Sequence, residues 1–142
     1  MPYKRKIVLV VDDDRDFLSE LQESLALSGY IPLIAANEAE TMLAARKIKP
    51  DVILLDLKLG NENGFIIADK IRKDPSISNI PIIMMSGYFN EAGGGESLAP
   101  SPVNIYLNKP FTQKDVVRSI QETLADAPEP SFDVMKHFLF KT

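Results

Sequence analysis

Three short apolar runs without interruption constrain the fold of this chain most strongly. They lie at Ile7–Val11, Asp51–Asp56 and Ile80–Ser86. Continuous apolar runs of this length are typical of strands that are buried on both faces of a parallel sheet. Tyr30–Ala35 and Asn104–Leu107 are weaker candidates of the same kind. The sequence therefore predicts a parallel sheet that is covered on both sides.

Segments with helical spacing of their apolar residues separate these runs. They begin near Arg15, Asn37, Gly64 and Thr112. The second and the fourth open with a polar residue followed three positions later by an acidic one, which is the pattern of a capping box. Because strands and helices alternate along the chain, we predict an α/β fold with helices on both faces of the sheet.

Two stretches break the alternation. A helix is expected between the last two strands, but Gly93–Gly95, Pro100 and Pro102 fall there. Glycine costs about 1 kcal/mol and proline about 3 kcal/mol inside a helix. We therefore predict a loop with at most one helical turn at 89–103. We also expect residues 1–125 to form one domain, and residues 126–142 to form a Pro-rich linker followed by an apolar segment.

The composition excludes several classes of function. The 142 residues include no cysteine and one histidine, and sixteen basic against twenty acidic residues give a net charge of −4. Disulfides, iron–sulfur clusters and thiol catalysis are thereby excluded, and a surface built to hold nucleic acid or anionic lipid is disfavoured. The apolar runs are far shorter than the roughly 18 residues of a membrane span. With no signal-peptide pattern, we expect a cytoplasmic protein.

Polar residues with distinct chemistry follow the predicted strands. Asp12 and Asp13 follow the first strand, Asp56 ends the third, Ser86 ends the fourth and Lys109 follows the fifth. The carboxyl ends of parallel strands meet at one edge of the sheet, where open α/β folds bind ligands. Clustered carboxylates without thiol or imidazole select a hard cation, Mg²⁺ before Zn²⁺. A divalent ion with a lysine opposite suits phosphoryl transfer to an aspartate nucleophile.

These residues resemble the receiver domain of two-component response regulators, the CheY-like superfamily. The matching segments are Val10–Asp14, Asp51–Asp56, Pro81–Gly87 and Tyr106–Phe111. They fall in the family's order, and together they are far more specific than any one of them. The resemblance covers about residues 4–125. It implies a flavodoxin-like, doubly wound, five-stranded parallel sheet of order 2-1-3-4-5, here with the fourth helix short or replaced by a loop.

The resemblance also implies a role for the acidic residues. Asp56 would be the phosphoacceptor, taking a phosphoryl group from a sensor histidine kinase, a phosphotransfer protein or a small phosphodonor. Asp13 would bind Mg²⁺ directly and Asp12 mainly through water, with Asp56 and the backbone carbonyl of Lys58 completing the protein's ligands. Asp14 is expected to cap the following helix.

The remaining motif residues would act on the phosphoryl group. Ser86 would donate a hydrogen bond to a phosphoryl oxygen, and Lys109 would pair with the phosphoryl charge. The Lys109–Pro110 peptide is expected to be cis, which would aim the lysine inward. Tyr106 would change rotamer as Ser86 moves, which makes these two residues the switch. The protein would then be no enzyme beyond its own phosphorylation and dephosphorylation, and it would signal by contacts with a downstream protein.

Other classes of protein explain the sequence less well. A phosphatase of the haloacid-dehalogenase type needs an acid two residues after the nucleophile, where this chain has Lys58. A nucleotide-binding domain lacks its glycine-rich loop after the first strand. A receiver-like interaction module that works without phosphorylation stays open as the alternative.

The apolar C-terminal segment suggests a partner of its own. Phe132, Met135 and Leu139 fall close to one helical face, and such a face in water marks an interface. We expect it to pack on its own domain or, preferably, across a homodimer.

The segment that follows Asp56 contains Gly60, whose backbone freedom predicts a looser loop than the family's usual proline.

Overall fold

The computed structural model describes residues 4–87 and 101–125. The predictions for the C-terminal segment 126–142 lie outside the described residues. So does most of the predicted loop at 89–103, of which the last three residues are described and form no helix. In the part that is described, no helix is both long and apolar enough to cross a membrane.

Seven strands and four helices follow one another in the described residues. In chain order they are β1 Ile7–Val11, α1 Arg15–Leu27, β2 Ile31–Ala35, α2 Glu38–Ile48, β3 Val52–Asp56, β4 Lys58–Leu59, β5 Glu62–Asn63, α3 Gly64–Lys73, β6 Ile82–Ser86, β7 Ile105–Asn108 and α4 Gln113–Ala125.

Five of the strands form one parallel sheet of order β2-β1-β3-β6-β7. Counted without the two short strands, this is the 2-1-3-4-5 order that the family resemblance implies, so the flavodoxin-like fold is confirmed. The strand order reverses beside β1, where the chain passes outward to β2 and then back across to β3. In open α/β sheets, a ligand crevice forms at such a reversal.

The core consists of two apolar layers, one on each face of the sheet. Leu9 and Leu55 face α2 and α3, whereas Val10 and Leu54 face α1 and α4, and all four side chains are fully buried. Alternate residues of one strand enter opposite layers because successive side chains of a strand point to opposite faces. This double burial explains why the central strands are apolar at every position.

The helices begin where the sequence predicts. Asp14 caps α1 by accepting two backbone hydrogen bonds from its first turn, each 3.1 Å long, and Asn37 caps α2 by accepting from the Glu40 amide at 2.8 Å. Thr112 and Asp115 exchange side-chain and backbone hydrogen bonds at 2.9 and 3.1 Å at the start of α4. Each cap satisfies amides that have no partner inside their helix.

The segment after Asp56 forms a small antiparallel hairpin, β4–β5. Lys58 pairs with Asn63 and Leu59 with Glu62. Gly60 adopts a φ of 57°, which lets the chain reverse in the tight turn between the two strands. The conformational freedom of Gly60 is thus used in a defined turn that folds back at the edge of the sheet.

Gly64, the first residue of α3, packs directly against the backbone of Asp56. A Cβ atom added to Gly64 would lie 2.2 Å from the Asp56 carbonyl oxygen, and the Gly64 amide donates to the Leu57 carbonyl at 2.7 Å. Only a residue without a side chain permits this approach. Gly64 therefore determines how closely α3 approaches the end of β3.

We expect Gly64→Ala to lower the free energy of unfolding by about 1–3 kcal/mol, the usual cost of forcing extra volume into a packed site. Urea unfolding would measure the change. Gly87→Ala is the matched control, since an added Cβ there meets no atom within 4 Å among the described residues. Equal stability of the two variants would contradict the close approach.

Candidate functional site

The ends of four neighbouring strands carry the side chains of the site. Asp56 ends β3 and Ser86 ends β6, while Asp12 directly follows β1 and Lys109 directly follows β7. These strands are adjacent in the sheet in the order β1-β3-β6-β7. The sheet therefore collects at one edge residues that lie up to 97 positions apart in the sequence, Asp12 and Lys109.

Three carboxylates form the centre of this edge. One oxygen from each of Asp12, Asp13 and Asp56 lies within 4.8 Å of the other two. Asp12 and Asp56 are buried, with 2% and 5% of their surface exposed, and Asp13 is exposed. Three converging oxygen ligands, one of them open to solvent, suit a hard divalent cation such as Mg²⁺, which keeps several of its waters.

Lys109 faces the buried carboxylates. Its Nζ atom lies 3.4 Å from Asp56 Oδ1 and 3.9 Å from Asp12 Oδ2. The same ammonium lies 5.9 Å from the centre of the Phe17 ring, and that ring meets Phe111 edge-on with centroids 5.9 Å apart. The Lys109 side chain is therefore bounded by carboxylates on one side and an aromatic face on another. The peptide bond between Lys109 and Pro110 is cis, as the resemblance implies.

Burial strongly perturbs the pKa of Asp12. The pKa of Asp12 is raised to about 6, chiefly by desolvation on burial; the Asp14 amide and Lys109 lower this pKa, and the charges of Asp56 and Asp13 add to the rise. The Asp14 amide donates to Asp12 Oδ1 at 3.0 Å. One lysine and one amide thus do not fully offset the loss of water around this carboxylate.

The pKa of Asp56 is also raised, again chiefly because the group is buried. Lys109 and the backbone amide of Lys58, which donates to Asp56 Oδ1 at 3.3 Å, act in the opposite direction. Burial thus disfavours the charged form of both carboxyl groups. A cation bound between them would stabilise that charged form.

Ser86 and Tyr106 lie on the two neighbouring strands next to the acidic cluster. Ser86 is fully buried and pairs with Asn108, and its carbonyl accepts from the Lys109 amide at 2.7 Å. Tyr106 is half-buried, and its hydroxyl lies 3.2 Å from the Ser101 Oγ atom. The structure thus places Ser86 at the site edge, whereas a switching role for the two residues stays a prediction.

Sequence reasoning missed two residues that shape the site. Phe17 reads as one of several apolar residues at helical spacing in α1, and nothing in that pattern indicates its place beside Lys109. In the sequence, Gly64 is predicted only to start a helix. Asn63 caps α3 by accepting a hydrogen bond from the Phe65 amide at 2.7 Å. The position of Gly64 directly after this capping residue is the sequence signal that could have drawn attention to it.

Comparison with known proteins places these features in a family. The model of the response regulator receiver domain matches residues 8–121. The polar-differentiation response regulator DivK of Brucella anthropi is 26% identical over 122 residues, which cover 86% of this chain and 98% of DivK. The DNA-binding response regulator MtrA of Mycobacterium tuberculosis is 30% identical over 124 residues, covering 87% of this chain. The chain spans about half the length of MtrA, 53%.

Solved structures agree with this placement. A putative response regulator from Chloroflexus aurantiacus superposes with a TM-score of 0.74 at 30% identity and covers 86% of this chain and 99% of its own. The chemotaxis response regulator CheY4 of Vibrio cholerae gives a TM-score of 0.75 at 24% identity, over 85% of this chain and all of its own. The second likeness supports the fold.

The buried charge of Asp12 leads to a testable effect on stability. A raised pKa in the folded state means that the stability associated with this group is present at low pH and is lost as the pH rises through about 6. In EDTA at neutral pH, we therefore expect Asp12→Asn to raise the free energy of unfolding by about 1–2 kcal/mol. Asn keeps an oxygen that accepts from the Asp14 amide.

Urea unfolding between about pH 4 and about pH 7 measures this effect. The gain should shrink toward the acidic end, where Asp12 is protonated in the folded state and becomes increasingly protonated in the unfolded chain. Asp69→Asn serves as the control, since Asp69 pairs with Lys73 on the surface of α3. A variant at position 12 that is less stable than the wild type at neutral pH would contradict the electrostatic argument.

Proposed function

This chain belongs to the response regulator receiver domain family, and we propose that it accepts a phosphoryl group on Asp56 and signals through protein contacts. The donor would be a sensor histidine kinase or a phosphotransfer protein, and the recipient of the signal a downstream protein rather than nucleic acid or a membrane. The observation that carries the proposal is the ammonium of Lys109 at 3.4 Å from Asp56 Oδ1, beside the clustered carboxylates. A cytoplasmic location stays a prediction.

The proposed chemistry is an in-line displacement at phosphorus. An oxygen of Asp56 attacks the phosphorus atom of a phosphohistidine, the new O–P bond forms as the P–N bond breaks, and the imidazole leaves with the bonding electrons. Lys109 would pair with the charge of the phosphoryl oxygens, and the Ser86 hydroxyl would donate to one of them. Positioning and charge neutralisation are the main contributions a protein makes to such a transfer.

Mg²⁺ is the cofactor that the acidic cluster fits. Asp12, Asp13 and Asp56 would hold it together with the backbone carbonyl of Lys58, and the oxygen-only donor set matches the preference of this ion. When bound, the cation would neutralise the negative charge shared by the carboxylates and the transferring group. The raised pKa of Asp12 and of Asp56 supports a cation here.

Ser86 and Tyr106 are the proposed switch. Tyr106 of β7 pairs with Met84 of β6, and Ser86 lies two residues further along β6, where it pairs with Asn108. Ser86 and Tyr106 therefore occupy neighbouring positions on adjacent strands. A hydrogen bond from Ser86 to the phosphoryl group would draw its hydroxyl toward Asp56. Tyr106 is half-buried and packs against the core layer that contains Met84. It would then repack into the space that Ser86 leaves.

The phosphoacceptor assignment predicts the outcome of a labelling experiment. With Mg²⁺ and acetyl phosphate, the wild-type protein should gain the mass of one phosphoryl group, measured by intact mass spectrometry. Asp56→Asn should lose this gain completely because the amide is not a nucleophile at neutral pH, and EDTA should remove it in the wild type. Asp69→Asn, on the exposed face of α3, should be labelled like the wild type.

Two results would overturn the assignment. Labelling that persists in the Asp56→Asn variant would place the phosphoryl group on another residue. A wild-type protein that is never labelled, yet still binds its partner, would favour the interaction module that works without phosphorylation.

The apolar C-terminal segment carries a second proposal about partners. We propose that it packs across a homodimer, in preference to its own domain, because Phe132, Met135 and Leu139 together bring a large apolar area to bury. Deletion after Ala127 should convert the dimer to a monomer in sedimentation velocity. Removal of Lys141 and Thr142 alone is the control and should leave the dimer intact. An unchanged oligomeric state on deletion, with a mobile segment by NMR, would contradict the proposal.

A further inference from the structure

The hairpin β4–β5 touches the acidic site at two points. The Lys58 amide donates to Asp56 Oδ1, and the turn residue Gly60 lies so close to Asp13 that an added Cβ would be 3.7 Å from Asp13 Oδ2. The hairpin therefore borders two of the three clustered carboxylates.

The opposite side of the hairpin is fastened to α2. Glu62 Oε1 accepts a hydrogen bond of 2.9 Å from the backbone amide of Glu38, the first residue of that helix. Amides of a first helical turn have no partner within the helix, and this end of a helix favours negative charge. Asn37 accepts from the Glu40 amide, so Glu62 satisfies a different one. The carboxylate of Glu62 is thus a tether between the hairpin and α2.

The tether extends to α3. The Glu38 side chain pairs with Lys70 Nζ at 2.5 Å, which joins the start of α2 to the helix that follows the hairpin. By itself, a ladder of two paired residues on each strand is too short to be stable. The position of the hairpin consequently depends on contacts outside the ladder. Leu59 of β4 is buried in the core layer that α2 and α3 cover, and Glu62 adds a polar contact to the start of α2.

We propose that Glu62 is a positioning residue for the divalent cation. By fixing the hairpin on α2, it holds the Lys58 backbone and the Gly60 turn against Asp56 and Asp13, and so sets the affinity of the site for Mg²⁺. This inference rests on the proposed function. Groups that orient metal ligands without touching the metal typically contribute 10–100-fold to metal affinity.

The test measures Mg²⁺ binding by calorimetry in Glu62→Ala and Glu62→Gln variants. Loss of the acceptor in Glu62→Ala should weaken Mg²⁺ binding about 10-fold. Gln keeps an oxygen that can accept from the Glu38 amide, so Glu62→Gln should bind within about twofold of the wild type. Glu40→Ala is the control. It removes an exposed carboxylate from the first turn of α2, the turn that contains Glu38, and should leave the affinity for Mg²⁺ unchanged.

A spectroscopic signature reports the tether without the metal. The Glu38 amide resonance should move in Glu62→Ala, and the amides of 58–63 should exchange faster with solvent, while Glu62→Gln should resemble the wild type in both. Glu62→Thr, which retains strand propensity but cannot reach the Glu38 amide, is a second loss variant should the alanine variant fail to fold.

The possible failures are distinguishable. If the wild type binds Mg²⁺ and both loss variants bind it equally well, the role of Glu62 is overturned while the proposed function stands. If the wild type binds no Mg²⁺, the proposed function and the inference fall together.

Discussion

The burial of two carboxylates opposite one ammonium is the constraint that the rest of the structure has to meet. Asp12 and Asp56 are almost fully shielded from water, and Lys109 approaches both from the end of the last strand. Ion pairs in such surroundings recover little of the free energy that the loss of hydration costs. The site therefore exists because the apolar layers beneath it hold the strands in place. The residual negative charge of the three carboxylates favours the binding of a cation at this edge.

The fold meets this constraint with close backbone packing at the end of β3. Gly64 brings the start of α3 against the Asp56 carbonyl, and the chain between them turns back through the hairpin β4–β5. On the other side of the site, Phe17 of α1 lies beside Lys109 and also contacts Phe111. Helices from both faces of the sheet thus contribute to one edge. A change in charge at Asp56 would act on elements that are packed into separate core layers.

Much of the fold and of the site could be predicted from the sequence. The uninterrupted apolar run at β3 indicates burial on both faces, because a strand in contact with water on one side alternates polar and apolar residues. Helix starts at Asp14, Asn37 and Thr112 follow from local hydrogen bonds between residues at most four positions apart. The order of strands and the roles of the site residues came from the resemblance to a family, and the strand order is confirmed.

The sequence by itself determined the five strands of the parallel sheet, the starts of the four helices and the polar residues at the strand ends, but not the hairpin β4–β5. Only the tertiary structure decided the contacts that give those residues their properties. The glycine at position 64 is required by the place of a carbonyl eight residues earlier, and Glu62 meets the amide of Glu38 across 24 positions of the chain. The pKa of Asp12 depends on how completely the surrounding elements exclude water. Spacing in a sequence reports local geometry, whereas close approach and desolvation arise when distant segments pack.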